Sequence, residues 1–386
     1  MARPLVLSAA LDPGEFDIGF ACDSRCKWLL RDFPGRYFPL SSMGSDHFLD
    51  ALARGRPLYD EATLKRYVRD DLELLDEFRP KVVIGDFRLS LSISARLRSI
   101  PYLGISNCYW SPYWRPRRYV VPNIRRLTGI LPLPFADALF RLARPIAFAL
   151  HCRPLNRVRR SHGLPSLGND LRCVYTDADH VLYADIAELF PGADLPANHH
   201  FIGPLAWSPP VPSPDWWDKV PIERPIVYLT LGSSGQAELL PEILSSLATL
   251  DVTVIAATAG GNLPDATPPN AYVAQYLPGA EAARLARLVI CNGGSPTSYQ
   301  ALAAGVPVIG IASNLDQFLN MGTLVRAGAG EIMRADRFNG PALAALVKKM
   351  VEGTEHAAAA GKIAARITGY DSGSRFAALV RSVLKT

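Results

Sequence analysis

Cysteine is scarce and scattered in this sequence, whose 386 residues hold only six, at positions 22, 26, 108, 152, 173 and 291. Their spacing matches no zinc site, and the chain is far too long for a disulfide-stapled mini-protein. No apolar run approaches the roughly 18 residues that a membrane-spanning helix needs, because Arg, Asp or Pro recurs throughout. No apolar segment of signal-peptide length precedes Asp12. These absences predict a cytoplasmic protein with reduced thiols.

Acidic residues are nearly absent between Phe87 and Arg160, where 14 arginines accompany a single acid, Asp137, although the net charge of the whole chain is only +5. Such a stretch indicates either a surface that faces an anionic partner or a solvated basic face, and the sequence leaves both interpretations open. No RNA-binding or DNA-binding motif accompanies the charge, so we expect no nucleic-acid partner.

The composition, 49% hydrophobic and 20% charged, excludes a disordered chain, and the length predicts two domains. Seven prolines between Pro204 and Pro225 indicate an extended linker. On either side, continuous apolar strands alternate with helical patterns, which is typical of parallel sheets covered on both faces. We expect an α/β fold with two doubly wound domains. The predicted boundaries are 1–206 for the first domain, 207–224 for the linker, 225–365 for the second domain and 366–386 for a C-terminal helix that crosses back to the first.

The start of the chain departs from this scheme. A helical pattern over Ala2–Leu11 stands where a doubly wound domain should open with a strand that becomes central in its sheet. We therefore expect the first domain to lack its first central strand, as if the sequence began inside the first strand–helix unit.

Two glycine-containing turns follow predicted strands of the second domain. Asn292-Gly293-Gly294-Ser295 separates an apolar strand from a helix whose free N–H groups and positive dipole end suit a phosphate. Gly232-Ser233-Ser234-Gly235 is a similar but weaker anion nest. An ordinary strand–helix turn explains each motif taken alone. Asp316-Gln317 follows a third strand and suits either sugar hydroxyls or a helix cap.

The order of these motifs resembles the donor-binding domain of the nucleotide-sugar glycosyltransferases with two facing Rossmann-like domains, the GT-B fold. More narrowly, it is similar to the UDP-glycosyltransferase-like family, of the bacterial natural-product or glycolipid type. The resemblance covers nearly the whole chain and is strongest from Ile226 to Asn320. It implies that a nucleotide-sugar donor binds through Gly232, Ser233, Ser234, Tyr276, Leu277, Asn292, Gly293, Gly294, Ser295, Thr297, Gln300, Asp316 and Gln317.

Three of these positions depart from the family pattern. Tyr276 stands where a tryptophan usually stacks on the base, Asn292 where a histidine contacts the diphosphate, and Gln300 where a glutamate binds the ribose. The resemblance further implies that Asp86, at the end of a strand, orients a catalytic histidine that accepts the acceptor's hydroxyl proton. No histidine precedes His47, so we expect this base to lie upstream of Met1. A helix cap is the structural alternative for Asp86.

The aromatic segment of Tyr109, Trp110, Tyr113 and Trp114 is expected to bind the acceptor, with an aromatic core edge as the alternative. The resemblance implies an inverting, metal-independent transfer of a sugar from a UDP- or dTDP-linked donor to a hydroxyl of a small or lipid-like acceptor, with no cofactor. The Arg-rich segment 115–160 is expected to contact an anionic membrane peripherally, at its inner face. Two alternatives stay open: a non-catalytic sugar-nucleotide-binding relative or partner subunit, and a nucleotide-sugar epimerase of similar fold.

Overall fold

The computed structural model describes residues 2–232 and 235–385, except for the side chains of residues 45, 46, 125 and 126. Ser233 and Ser234, which the sequence predicts to bind the donor, lie outside the described residues. The chain divides into two compact units. Unit 1 comprises residues 1–115, 138–205 and 370–386, and unit 2 comprises residues 116–137 and 206–369.

The strands of the described chain, in order, are β1 Gly19–Cys22, β2 Arg36–Pro39, β3 Val83–Asp86, β4 Tyr102–Ser106, β5 His180–Tyr183, β6 His199–Phe201, β7 Ile226–Thr230, β8 Thr253–Ala257, β9 Ala271–Ala274, β10 Leu288–Cys291, β11 Val308–Ala312 and β12 Gly330–Arg334. The helices are α1 Ala2–Ser8, α2 Ser45–Ala53, α3 Glu61–Phe78, α4 Leu91–Leu97, α5 Arg125–Thr128, α6 Leu133–Ser161, α7 Leu171–Tyr175, α8 Leu240–Leu247, α9 Gly279–Leu285, α10 Ser295–Ala303, α11 Leu315–Arg326, α12 Gly340–Glu352, α13 Glu355–Ile367 and α14 Ser372–Val383.

Unit 1 contains a four-stranded parallel sheet of order β3-β4-β5-β6 and a separate parallel pair, β1-β2. Helix α14, near the end of the chain, packs in this unit, where Phe376 and Val380 join a core with Leu103, Leu182 and Leu7. Leu7 comes from α1, which contacts β3 at the edge of the four-stranded sheet. The unit therefore combines parallel strands with helices from both ends of the chain.

Unit 2 is built on a six-stranded parallel sheet of order β12-β11-β10-β7-β8-β9. Its four inner strands β11, β10, β7 and β8 are buried at every residue, as expected for apolar strands covered on both faces. Helices α8 and α12 pack on this sheet through Ile243, Leu247, Leu343 and Val347. The parallel sheets of the two units confirm the predicted α/β class.

Residues 116–137 pack with unit 2, although the sequence analysis includes them in the first domain. The guanidinium of Arg334 donates to the carbonyl oxygen of Val121 at 2.7 Å and to Oδ1 of Asn123 at 2.9 Å. Arg337 donates to the carbonyl of Thr128 at 2.8 Å. Arg334 at the end of β12 and Arg337 just beyond it thus hold this segment through two carbonyl oxygens and one side-chain amide. No local sequence pattern predicts these contacts.

Candidate functional site

Three adjacent strands of unit 2 bring the predicted donor-binding motifs to one edge. Strands β11, β10 and β7 are neighbours and run parallel, so the segments that follow them leave the sheet on the same side. Gly232 follows β7, Asn292 follows β10, and Asp316 lies just beyond β11. Ligands of open α/β sheets bind outside the carboxyl ends of the strands, which makes this edge the candidate donor site.

The turn after β10 is fixed by its own hydrogen bonds. Oδ1 of Asn292 accepts from the backbone N–H of Gly294 at 2.9 Å, and Sγ of Cys291 accepts from Gly293 N–H at 3.2 Å. Gly293 has a φ of +79°, and a Cβ there would lie 2.7 Å from Cγ of Met321. Only glycine fits this position without strain, because the conformation and the space both exclude a side chain.

Helix α10 begins immediately after this turn. Its N-cap residue is Gly294, which supplies no side-chain cap, and Pro296 occupies its first turn. The positive end of the helix dipole is therefore not covered by a capping side chain. Gly232, with a φ of +62°, lies opposite, and a Cβ there would be 3.3 Å from Nδ2 of Asn292. Gly232 and the turn after β10 thus meet at Asn292, a geometry suited to an anionic group.

Two buried side chains, Asn320 and Ser298, hold the turn after β10 in place, a role that no sequence motif indicates. Nδ2 of Asn320 donates to the carbonyl oxygen of Gly293 at 2.8 Å and to Oγ of Ser298 at 3.1 Å. The Ser298 hydroxyl in turn donates to the carbonyl oxygen of Gly294 at 2.9 Å. Asn320 is only 1% exposed. An amide on α11 that aligns with a turn after β10 could be found only once the sheet order was known.

The side chain and backbone of Gln317 form hydrogen bonds that shape the start of α11. Its Oε1 accepts from the backbone N–H of Ser313 at 2.8 Å and from that of Asn314 at 3.3 Å, while Asn314 Oδ1 accepts from Gln317 N–H. These bonds form the capping box of α11. Asp316, in the first turn of the same helix, is half-buried. The two predicted residues therefore differ in their roles. Gln317 caps the N-terminus of α11, whereas Asp316 is partly exposed in the first turn of that helix.

The residues predicted for the nucleoside are also placed. Nε2 of Gln300 donates to the carbonyl oxygen of Trp207 and lies 3.4 Å from Oγ of Ser208, so its amide ties α10 to the proline-rich segment. Tyr276 is half-buried, and its hydroxyl lies over Gly260, where a Cβ would be 2.3 Å away. Leu277 is 3% exposed and belongs to the core. Ser295 is buried and Thr297 is half-buried in the first turn of α10.

Asp86 lies at the carboxyl end of β3 in unit 1, where its carboxylate is bound by Arg3. Nε of Arg3 donates to Oδ2 at 3.0 Å, and a second guanidinium nitrogen contacts Oδ1. Burial raises the pKa of the Asp86 carboxyl, but the Arg3 guanidinium outweighs burial and leaves the pKa below its usual range. Asp86 is therefore an anion that is already paired.

Two further residues, Asn107 and Asp185, extend the Arg3–Asp86 pair along the edge of the sheet. No sequence motif identifies either of them. Nη1 of Arg3 donates to Oδ1 of Asn107 at 2.8 Å, and Nδ2 of Asn107 donates to Oδ1 of Asp185 at 3.1 Å. Asp185 is fully buried and also accepts from the backbone N–H of Cys108 at 2.6 Å. Asn107 follows β4 and Asp185 lies just beyond β5, so this polar chain links the ends of three neighbouring strands.

The predicted acceptor-binding aromatics are mostly interior. Tyr109, Trp110 and Trp114 are 1%, 9% and 4% exposed, whereas Tyr113 is 46% exposed. The Trp114 ring packs edge-on against Phe190 with centroids 5.1 Å apart. Three of the four rings thus belong to the packing of unit 1, and Tyr113 offers an accessible face.

The histidines at 199 and 200 lie on β6 and are half-buried. Nδ1 of His199 lies 2.7 Å from the hydroxyl of Tyr183, and Nε2 of His200 lies 3.1 Å from Nδ1 of His180. Pairing with β5 places both imidazoles beside side chains of that strand. Among the described residues, no group of three or more His, Cys, Asp or Glu side chains could hold a metal ion.

The class of the protein follows from its fold. A spinosyn rhamnosyltransferase complexed with thymidine diphosphate has a similar structure, with a TM-score of 0.69 and 19% identity over 99% of this chain and 96% of that chain. The fold is thus that of the GT-B glycosyltransferases, as the sequence resemblance predicted. Residues 241–372 match the family model described as erythromycin biosynthesis protein CIII-like, C-terminal domain.

Relatives with much higher identity narrow the class to a family. A PGL/p-HBAD biosynthesis glycosyltransferase from Mycobacterium tuberculosis is 51% identical, over 94% of this chain and 85% of the relative. A PGL/p-HBAD biosynthesis rhamnosyltransferase from Mycobacterium bovis is 50% identical, over 94% of this chain and 80% of the relative. The chain belongs to this family of glycosyltransferases, which confirms the predicted enzyme class.

Proposed function

We propose that this glycosyltransferase moves a sugar from a nucleoside diphosphate, UDP or dTDP, to a hydroxyl group of a small or lipid-like acceptor. The observation that carries the proposal is the edge of unit 2 where Gly232, the Asn292–Gly294 turn and the N-terminus of α10 meet. Helix N–H groups suit a phosphate, and the glycines let it approach the backbone closely. The similar spinosyn enzyme, solved with thymidine diphosphate, supports this donor class.

The proposed reaction is a single in-line displacement that inverts the anomeric configuration. The acceptor oxygen bonds to the anomeric carbon while the bond from that carbon to the diphosphate oxygen breaks, and the electron pair leaves with the diphosphate. The dipole of α10 and the backbone N–H groups of the turn stabilise the departing charge, so the proposed transfer requires no metal. Asn320 and Ser298 act as positioning residues because they hold the turn.

The acceptor's hydroxyl proton passes to a general base in this mechanism. We assign Asp86 the role of orienting that base and stabilising its protonated form. Arg3 fixes the carboxylate for this task because its guanidinium donates to Asp86 directly. Asn107 holds the same guanidinium in place by accepting a hydrogen bond from it. Tyr276 is proposed to stack on the nucleoside base, Gln300 to approach the ribose, and Asp316 to hold the sugar hydroxyls, with Gln317 fixing the loop before it.

The names of the relatives support the acceptor class. Both act, by name, in PGL/p-HBAD biosynthesis, and one of them is a rhamnosyltransferase. We therefore propose a glycolipid or its precursor as the acceptor, and a cytoplasmic enzyme that contacts an anionic membrane through the Arg-rich segment 115–160. No described helix has the length and apolar content required to cross a bilayer.

The test is a donor and acceptor screen with the full chain. Calorimetry with UDP and dTDP should give saturable binding to one of them, and the matching nucleotide-sugar should release that diphosphate when a hydroxyl-bearing lipid-like acceptor is added. Proton NMR of the product should show the inverted anomeric configuration. Binding without turnover would favour the non-catalytic alternative, and failure to bind either diphosphate would overturn the donor site.

A further inference from the structure

Helix α6 carries an apolar stripe that its own unit leaves uncovered. Leu139, Leu142, Ile146 and Leu150 are 47%, 80%, 68% and 43% exposed. Their spacing of three and four residues places them on one face of the helix. The opposite face is packed, with Phe148, Cys152, Leu155 and Val158 at 5% exposed or less. This stripe, residues 139, 142, 146 and 150, is called the α6 apolar stripe below.

A basic stripe continues the same face. Arg153, Arg157 and Arg160 follow the α6 apolar stripe at helical spacing, and all three are exposed. Residues 138–161 contain six arginines and no acidic residue. Arg159 is buried against Asp177 and Arg157 lies 3.7 Å from Glu61. Within the described part of the chain, Arg141, Arg153 and Arg160 form no ion pair.

The combination of exposed leucines with unpaired arginines fits one kind of partner. An interfacial helix lays apolar side chains at the boundary of acyl chains and headgroups, and its arginines bind lipid phosphates. A second copy of the chain fits poorly, because it would set an equally basic helix against this one. The segment 139–150, which includes Arg141 and Arg144, is also too polar to span a bilayer, and no described helix meets that requirement.

We propose that α6 docks this unit onto the surface of an anionic lipid bilayer, with the α6 apolar stripe inserted and the arginines 153 and 160 on the headgroups. The inference rests on the proposed function in one respect, namely that a lipid-like acceptor would be reached from the same surface. The docking itself depends only on the exposed side chains of α6.

The experiment is co-sedimentation of the full chain with vesicles. Vesicles of phosphatidylglycerol and phosphatidylcholine should bind the chain at low salt, pure phosphatidylcholine much less, and 0.5 M salt should weaken binding. The variant Leu142→Gln/Ile146→Gln should lose at least about tenfold in vesicle affinity. The variant Arg153→Gln/Arg160→Gln should lose about 25-fold, at roughly fivefold for each charge.

Matched controls separate a surface-specific effect from a general one. Ile222→Gln/Leu263→Gln removes two exposed apolar side chains elsewhere, at 76% and 51% exposure. Lys348→Gln/Lys349→Gln removes two exposed cations elsewhere. Equal losses in the α6 and control variants, or no difference between anionic and neutral vesicles, would overturn the proposal. So would a dimer in analytical ultracentrifugation that the α6 apolar variant dissolves, since the stripe would then join two copies.

The same preparations keep this proposal separate from the proposed function. Binding of UDP or dTDP should be unchanged in the α6 variants, because the hydrogen bonds that hold the turn after β10 come from Asn292, Ser298 and Asn320 of unit 2. Vesicle binding without diphosphate binding would reject the donor site alone, whereas diphosphate binding without vesicle binding would reject the membrane surface alone.

Discussion

Arg3 and Asp86, 83 positions apart in the chain, form a side-on ion pair in which Nε of Arg3 donates to Oδ2 of Asp86 at 3.0 Å. Their side chains are 20% and 12% exposed. The same guanidinium reaches Asn107, which reaches Asp185, so one arginine from α1 begins a polar chain across the ends of β3, β4 and β5. Helix α1 is thereby anchored to the carboxylate that the proposed mechanism uses.

Removing Arg3 should destabilise unit 1. Arg3→Met leaves a mostly buried carboxylate without its cation, and we expect it to lower the free energy of unfolding by about 3 kcal/mol in urea titrations at pH 7. Arg36→Met breaks the Arg36–Asp17 pair, whose side chains are 59% and 73% exposed, and should change it by less than about 0.5 kcal/mol. Equal effects of the two variants would contradict a structural role for the pair.

The pH dependence of the same variant has a definite sign. Because the pKa of Asp86 is lowered in the folded chain, its contribution is complete above the ordinary carboxyl pKa of about 4 and is lost as the pH falls through the folded value. The stability difference between wild type and Arg3→Met should therefore shrink when the pH is lowered from 5 towards 2. A difference that is constant over this range would argue against an ionised Asp86.

His199 should make stability fall on mild acidification. Burial lowers the pKa of His199 to about 4, with the neighbouring His200 contributing, whereas an unfolded histidine titrates near 6.5. Between these values the unfolded chain binds the proton more tightly, so stability is lost as the pH falls from about 6.5 to 4. His199→Asn should lack this loss in thermal or urea unfolding, and exposed His162→Asn should retain it.

Gly293 should tolerate no side chain, and a second glycine provides the control. Gly293→Ala and Gly163→Ala both place alanine at a positive φ, +79° and +74°, but only the first Cβ meets another atom within 3 Å. We expect about 1 kcal/mol of destabilisation for Gly163→Ala and about 3 kcal/mol for Gly293→Ala, with loss of diphosphate binding in the latter. Calorimetry with dTDP and UDP checks the binding, and an intact affinity in Gly293→Ala would remove the turn from the site.

Asn292 should affect ligand affinity more than stability. Asn292→Ala removes the acceptor for Gly294 N–H, and we expect roughly a tenfold weaker diphosphate affinity because the turn loses its fixed geometry. Asn339→Ala removes the comparable bond to Ala342 N–H at the start of α12, and should cost about 1 kcal/mol of stability with no change in affinity. A parallel fall in affinity in both variants would indicate a general loss of fold.

The strands of unit 2 could be predicted closely from local pattern. Strands β7, β10 and β11 coincide with the apolar runs that precede Gly232, Asn292 and Asp316 in the sequence. Apolar runs of this length between glycine turns have few other uses, because a strand buried on both faces needs apolar side chains at every position. The need for glycine at positions 232 and 293 could also be predicted from the sequence, since both residues lie in turns and adopt a positive φ.

Contacts between distant segments were outside the reach of such patterns. Pro145 and Pro154 argue against a single helix over residues 133–161, yet the structure forms one there. The α6 apolar stripe could be recognised only from the structure, which shows that the other face of the helix is packed. Asn320, Asn107 and Asp185 are ordinary polar residues in the sequence, and each acquires its role from the strand beside it.

The sequence by itself determined the fold class, the positions of the two glycine turns and the family, because these depend on short-range pattern and on motif order. The tertiary structure alone decided that Asp86 is held by Arg3, that Gln317 closes a helix rather than facing outward, and that α6 exposes its leucines. The physical reason is that hydrogen-bond partners and burial are properties of neighbours in space, which a parallel sheet draws from positions far apart along the chain.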